Sequence, residues 1–161
     1  MSGETTDTVT VMARTMSALG RLTTRSRMRR ELGGQSAKLS PTDMWLVDRV
    51  SEFGPARMSE LATWQSVDRS TMTTQVGKLE KLGLVQRAPD PQDRRAIVVS
   101  VTEAGRQLHE ESRAAACAVF DSMLADWSDA ERSRLTESLT HLVDSLEKHL
   151  STKSEDHSTE R

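Results

Sequence analysis

Apolar residues return every three or four positions along most of the chain, and the breaks in that rhythm mark out its elements. Val9, Met12, Ala13, Met16, Leu19 and Leu22 make one stripe of an amphipathic helix, with Arg14, Arg21 and Arg25 on the other side. The stripe predicts a single helix ending before Gly33-Gly34. A second helix opens at Ser40, where a capping hydroxyl, Pro41 in the first turn and Asp43 near the positive end of the dipole coincide, and runs to about Phe53. Gly54-Pro55 interrupts it. Ser59 then reads as the cap of a short helix holding Leu61, Ala62 and Trp64. Asp68 caps the next helix, with Met72, Val76 and Leu79 inward, Leu82 near its end and Gly83 as a left-handed terminator.

The rhythm then changes. Leu84-Val85-Gln86 and the β-branched run Ala96 to Val101 flank a charged, turn-rich segment, Pro89 to Arg95, which predicts a β-hairpin with a basic tip. Pro89 and Pro91 should keep the loop out of the ladder and the strands short. Thr102 caps a long helix whose stripe, from Leu108 through Phe120 and Leu124 to Trp127, is longer than a small core can cover, so part of it should face another chain. Ser128 and Glu131 form a capping box before a last helix carrying Leu135, Leu139, Leu142, Val143, Leu146 and Leu150.

These elements predict a mainly α fold with a small β-hairpin wing. The expected organisation is an N-terminal helix over 1–38, a DNA-binding unit over 39–101, C-terminal helices over 102–150 and a disordered polar tail over 151–161. Two helices joined by a tight turn form a helix-turn-helix, whose second helix fits the DNA major groove and presents its N-terminal side chains to base edges. The hairpin beside it is placed to meet phosphates or an adjacent minor groove.

Charge sharpens the picture. The chain of 161 residues has a net charge of −2, which argues against a nucleic-acid partner until it is divided. Residues 1–101 hold 15 Lys and Arg against 11 Asp and Glu, a net of +4, and residues 102–161 hold 7 against 13, a net of −6. The front of the molecule is thus suited to a polyanion and the back is not. Only 3% of residues are aromatic, which goes with helical cores and against an all-β fold. No run reaches the roughly 20 apolar residues of a membrane span, and the acidic, polar first ten residues do not read as a signal peptide, so a cytoplasmic location is expected. The single Cys117 fits a reducing compartment.

From Leu39 to Arg106 the sequence resembles the multiple-antibiotic-resistance regulator (MarR) family of winged helix-turn-helix transcriptional regulators. VDRSTMT followed by KLEKLGLVQR, then DPQDRRA and a strand ending VTEAGR, carries the likeness by order and spacing together. The resemblance implies a homodimer whose first and last helices intertwine and whose two recognition helices read a roughly palindromic operator in double-stranded DNA. Carried onto this chain, it puts DNA contacts at Arg69, Ser70, Thr71, Thr73, Thr74, Gln75 and Lys78 of the recognition helix. It also puts them at Arg94 and Arg95 of the wing, with Asp93 as the acidic residue that holds a wing arginine. Gln75 can pair with adenine in two bonds, and Thr methyls can meet thymine. Gly77 departs from the family, which often has a larger side chain there. The resemblance also implies a repressor released by a small aromatic or phenolic ligand, bound in a cleft for which Trp45 with Arg14, Arg21 or Arg25 are candidates.

Plainer readings stand beside these. Gln75 and Lys78 also suit a solvated helix face, Arg94 and Arg95 a solvated turn, Ser70 and Thr71 a capping role, and Trp45, Trp64 and Trp127 the core, while Arg14, Arg21 and Arg25 are expected to be solvated. Cys117 could sense oxidants, but relatives that do so carry the reactive thiol in the first helix, so a packed or idle cysteine is expected. His109, His141, His149 and His157 match no compact metal-ligand spacing. No cofactor is called for, and the absence of a phosphate-binding loop or an activated-nucleophile motif argues against an enzyme. A winged domain that binds another protein is the competing class, and the basic wing weighs against it.

Overall fold

A computed structural model of the chain describes residues 2–156. Helix α1 spans Ser2–Thr23 and α2 spans Ser26–Gly33, followed by a 3-10 turn over Gly34–Lys38. The single N-terminal helix expected from the stripe is therefore broken. The hydroxyls of Thr23 and Thr24 turn back onto the carbonyls of Leu19, Gly20 and Arg21, and Arg25 is extended at φ −62°, ψ 137°. β-Branched residues that bond to the preceding turn are poor at propagating a helix, and here two stand in succession.

Helix α3, Pro41–Glu52, begins in the expected capping box. Ser40 Oγ accepts from the Asp43 amide at 3.2 Å, and the Asp43 carboxylate accepts from the Ser40 amide at 3.3 Å. Strand β1, Ala56–Arg57, follows the Gly54 turn and was not legible in advance, because two residues carry no alternation. Helix α4, Met58–Trp64, is capped at Arg57 and not at Ser59, with Glu60 accepting from the Arg57 amide at 2.9 Å. A turn through Ser66, at φ 55°, leads to α5, Arg69–Lys81, which ends at Leu82 and Gly83 as its sequence requires.

Strands β2, Val85–Pro89, and β3, Ile97–Val101, form the hairpin, and β1 joins the far side of β3 to give the order β1-β3-β2, all antiparallel. Pro89 lies inside the ladder opposite Ile97, contrary to expectation, and it is tolerated because it ends an edge strand. The core brings together Leu46, Val47 and Val50 of α3, Leu61 of α4, Met72, Val76 and Leu79 of α5, and Val85 and Val99 of the sheet, all essentially inaccessible. The tryptophans are not core: Trp45, Trp64 and Trp127 are 55, 48 and 43% exposed.

Helix α6, Glu103–Met123, and α7, Asp129–Asp156, complete the chain. The structure separates into two compact units, residues 1–119 and 120–161, with the division inside α6. The start of α6 belongs with the first unit for clear reasons. Thr102 Oγ1 donates to the Gly83 carbonyl at 2.6 Å while accepting from the Gly105 amide, and Gly105 packs directly on the Leu84 carbonyl. Further on, His109 Nδ1 meets Asp48 Oδ1 at 2.7 Å and Ser112 meets Ser36 at 2.8 Å. In the second unit the Ser128–Glu131 capping box forms as expected, and Arg132 bonds Asp121 at 3.0 Å and the Leu124 carbonyl at 2.7 Å. Helix α7 continues to Asp156, where a disordered tail was expected from 151; the remainder of that expectation lies outside the described residues.

Candidate nucleic-acid interface

The recognition helix is fixed first at its N-terminus. Asp68 accepts from the Thr71 amide at 2.8 Å and from both the Ser70 and Thr71 hydroxyls. These bonds, the one from Ser70 foremost, hold its carboxyl well below the usual carboxylate range. The capping reading of Ser70 and Thr71 is therefore realised. Beyond the cap, Arg69, Thr73 and Thr74 are exposed, and the two threonine hydroxyls donate only to carbonyls of their own helix, at Arg69 and Ser70. Arg69 makes no ion pair among the described residues.

Gln75 and Lys78 behave differently. The Gln75 amide donates to the Thr42 carbonyl at 2.7 Å, and the Lys78 ammonium pairs with the Asp43 carboxylate. Both partners lie in the first turn of α3. Asp43 is buried, which by itself would raise its pKa, but the bonds from Lys78 and Ser40 outweigh burial and hold it below its ordinary value.

The wing is organised by Asp90, the first residue of DPQDRRA, and by Arg57 of β1. Asp90, 6% exposed, accepts from the Gln92 amide at 2.7 Å, the Asp93 amide at 3.3 Å and Arg57 Nε at 2.6 Å. Those donors, the Gln92 amide first, lower its pKa. Asp93 accepts from the Arg95 backbone amide at 3.0 Å and so shapes the turn, and it makes no ion pair among the described residues. Arg94 and Arg95 are exposed at the tip and make no ion pair among the described residues. Arg87 of β2 pairs with Glu80 of α5, tying the wing's stem to the recognition helix.

Between α5 and the wing lies an open groove of about 540 Å³ lined by Arg57, Arg69, Thr73, Arg87, Asp93 and Arg95, among others. Arg57 and Arg87 are balanced by Asp90 and Glu80, so Arg69 and Arg95 against Asp93 leave the groove modestly positive, and arginine forks suit phosphate oxygens. The arrangement can grip a polyanionic backbone while the face of Arg69, Thr73 and Thr74 meets base edges.

A second cavity, of about 400 Å³, lies within the same unit and is lined by Thr23, Thr24, Leu32, Leu39, Met44 and Trp45, with Arg29, Asp48, Ser36 and Ser112 as its polar groups. It contains Trp45, as expected, but not the expected arginines. Arg14 and Arg21 line a separate shallow face of α1, and Arg25, in the break after it, is exposed outside the cavity. The guanidinium on the cavity wall is that of Arg29, brought there by the restart of the helix. Burial raises the Asp48 carboxyl against the opposing effect of His109. Cys117 is exposed on α6. Among the described residues no group of His, Cys, Asp and Glu is arranged to hold a metal, and no helix is long and apolar enough to cross a membrane. His157 lies outside them.

Comparison with known proteins bears on this arrangement. The model of the MarR family matches residues 39–97, the stretch from the end of the 3-10 turn to the start of β3. The helix-turn-helix transcriptional regulator YxaD of Bacillus subtilis is 32% identical over 108 residues, covering 67% of this chain and 76% of YxaD. The chain belongs to the MarR family. It is a DNA-binding transcriptional regulator, as its MarR relatives are. The transcriptional repressor NicR of Pseudomonas putida is 31% identical over 98 residues, 61% of this chain and 62% of NicR. Among solved MarR-like folds, NadR in complex with 4-hydroxyphenylacetate superposes with a TM-score of 0.59 at 22% identity, covering 82% of this chain and 91% of NadR.

Proposed function

We propose that this MarR-family chain is a cytoplasmic, homodimeric repressor that occupies a roughly palindromic operator and is released by a small aromatic or phenolic anion. The observation that carries the reading is the exposed face of Arg69, Thr73 and Thr74 set beside the arginine-lined groove and the unpaired Arg94 and Arg95 of the wing. In this reading α5 enters the major groove and a wing arginine reaches the adjacent minor groove, while Ser70 and Thr71 stay bonded to Asp68 at the cap. A two-fold dimer then repeats the contact about one helical turn away, roughly 34–36 Å along the duplex.

Exposed apolar stripes support the dimer. Val9, Met12, Met16, Leu19 and Leu22 on α1, and Leu139, Val143, Leu146 and Leu150 on α7, are 39–65% exposed in the single chain, which is costly for a monomer in water. The Trp45 cavity supports the effector, with Arg29 as the counter-charge and an apolar wall for a ring. That NicR is a repressor and that NadR holds 4-hydroxyphenylacetate favour the same reading here. Ser40, Pro41 and Met44 of the cavity wall flank Thr42 and Asp43, which hold the recognition helix, so a ligand that shifts this turn has a short path to the DNA. No catalytic step is part of this reading.

Selection of bound duplexes from a random pool, followed by titration of the enriched one, is the test. We expect a palindromic site, with affinity falling at least about tenfold when Arg94→Ala and Arg95→Ala are combined. If a folded protein enriches no duplex even at low salt, the operator reading fails.

A further inference from the structure

On the recognition helix, Gln75 and Lys78 are suited by type to read bases or phosphates, as Arg69 is, but both are already engaged. The Gln75 amide donates to the Thr42 carbonyl at 2.7 Å, and a second amide, from Gln65 in the turn before α5, donates to the same oxygen at 2.9 Å. The Asp43 side chain is only 4% exposed and its charge is balanced by the Lys78 ammonium and the Ser40 amide. Removing Lys78 would leave a buried carboxylate without its counter-charge, a change that proteins tolerate poorly. By contrast, Arg69, Thr73 and Thr74 make no bond beyond their own helix among the described residues.

We infer that Gln75 and Lys78 are positioning residues, which fasten the recognition helix to the first turn of α3 and set its angle of entry, while Arg69, Thr73 and Thr74 make the contacts that select sequence. This rests on the operator reading above. Its physical basis is that burial of Met72, Val76 and Leu79 sets which face of α5 is inward, and polar bonds at the helix edge then set the exact roll within that packing. Two bonds from one edge of α5, three residues apart, meet two consecutive residues of α3 and fix it.

The test is a double-mutant cycle on the selected duplex, with Lys78→Met, Asp43→Asn and their combination, titrated across a range of salt. We expect Lys78→Met to weaken operator binding on the order of tenfold, the double variant to be no weaker than Lys78→Met alone, and the slope of log affinity against log salt to stay at the wild-type value. Lys78 gripping a phosphate would give additive effects and a slope smaller by about one, and that result overturns the inference. Should Asp43→Asn fail to fold, the salt slope of Lys78→Met still decides for Lys78. For Gln75, repeating the duplex selection with Gln75→Met decides: unchanged base preference with uniformly lower affinity is expected, and relaxed preference at one base pair overturns it. A wild-type protein that enriches no duplex overturns the operator reading and this inference with it, whereas the other adverse outcomes overturn only the inference.

Discussion

At the head of α5, Asp68 gathers the Ser70 hydroxyl and both the amide and the hydroxyl of Thr71, and in the wing Asp90 gathers two amides and Arg57. Each carboxyl is held below its ordinary value, so each binds its proton less readily folded than unfolded. Their stabilisation is therefore fully present above about pH 4, the unfolded value, and is lost as pH falls through the lower folded values. Asp68→Asn retains an acceptor for the helix N-terminus but cannot titrate. Its thermal midpoint should fall less steeply than the wild type's on acidification below about pH 4, and parallel curves would show that Asp68 contributes nothing to the acid limb. The sequence indicated Asp68, because a cap is a local pattern. The turn-rich segment locates Asp90 and its two amide donors, but not its third partner, Arg57, 33 positions away.

Two glycines separate the forces acting on whole elements. Gly105 opens α6 against the β2 entry, where an added Cβ would collide with the Leu84 carbonyl and come within 2.7 Å of Val101 Cγ2. Gly77 sits inside α5 with nothing within 4 Å of the same position. Gly105→Ala should thus destabilise by about 1–3 kcal/mol through overpacking. Gly77→Ala should stabilise by about 0.5–1 kcal/mol, because alanine loses less backbone entropy in a helix. Urea unfolding of both variants checks the pair, and a destabilised Gly77→Ala would contradict the open space at that face. Operator titration of Gly77→Ala adds a readout of function, since Gly77 borders Thr73, Thr74, Lys78 and Lys81 on the outer side of α5. Lost affinity in a stabilised variant would mean that the DNA backbone passes close there.

For the molecule as a whole, the question is what covers the apolar stripes. Val143 and Leu146 of α7 are 52 and 53% exposed in the single chain. Under the dimer reading they are buried against a second copy, and Val143→Glu with Leu146→Glu should give a monomer in sedimentation. Losing one of two linked recognition helices should then cost operator affinity about a hundredfold or more. A variant that remains dimeric would exclude α7 from the interface. The exposed tryptophans teach the same lesson: a sequence stripe shows that a residue is apolar and faces one side, not whether that side is filled by its own chain.

The sequence determined what depends on neighbours in the chain. The caps at Ser40, Asp68, Thr102 and Ser128, the Gly83 terminator, the Met72–Val76–Leu79 core face and the basic wing tip each follow from residues within a few positions, where capping bonds, backbone freedom and helical period act. The tertiary structure alone decided what depends on residues brought together from a distance. Such pairings include β1 with β3, Arg57 with Asp90, Arg29 with the Trp45 cavity, and Gln75 and Lys78 with the first turn of α3. A helical repeat fixes which face a side chain occupies, but its partner is set by how the packed core orients the neighbouring element.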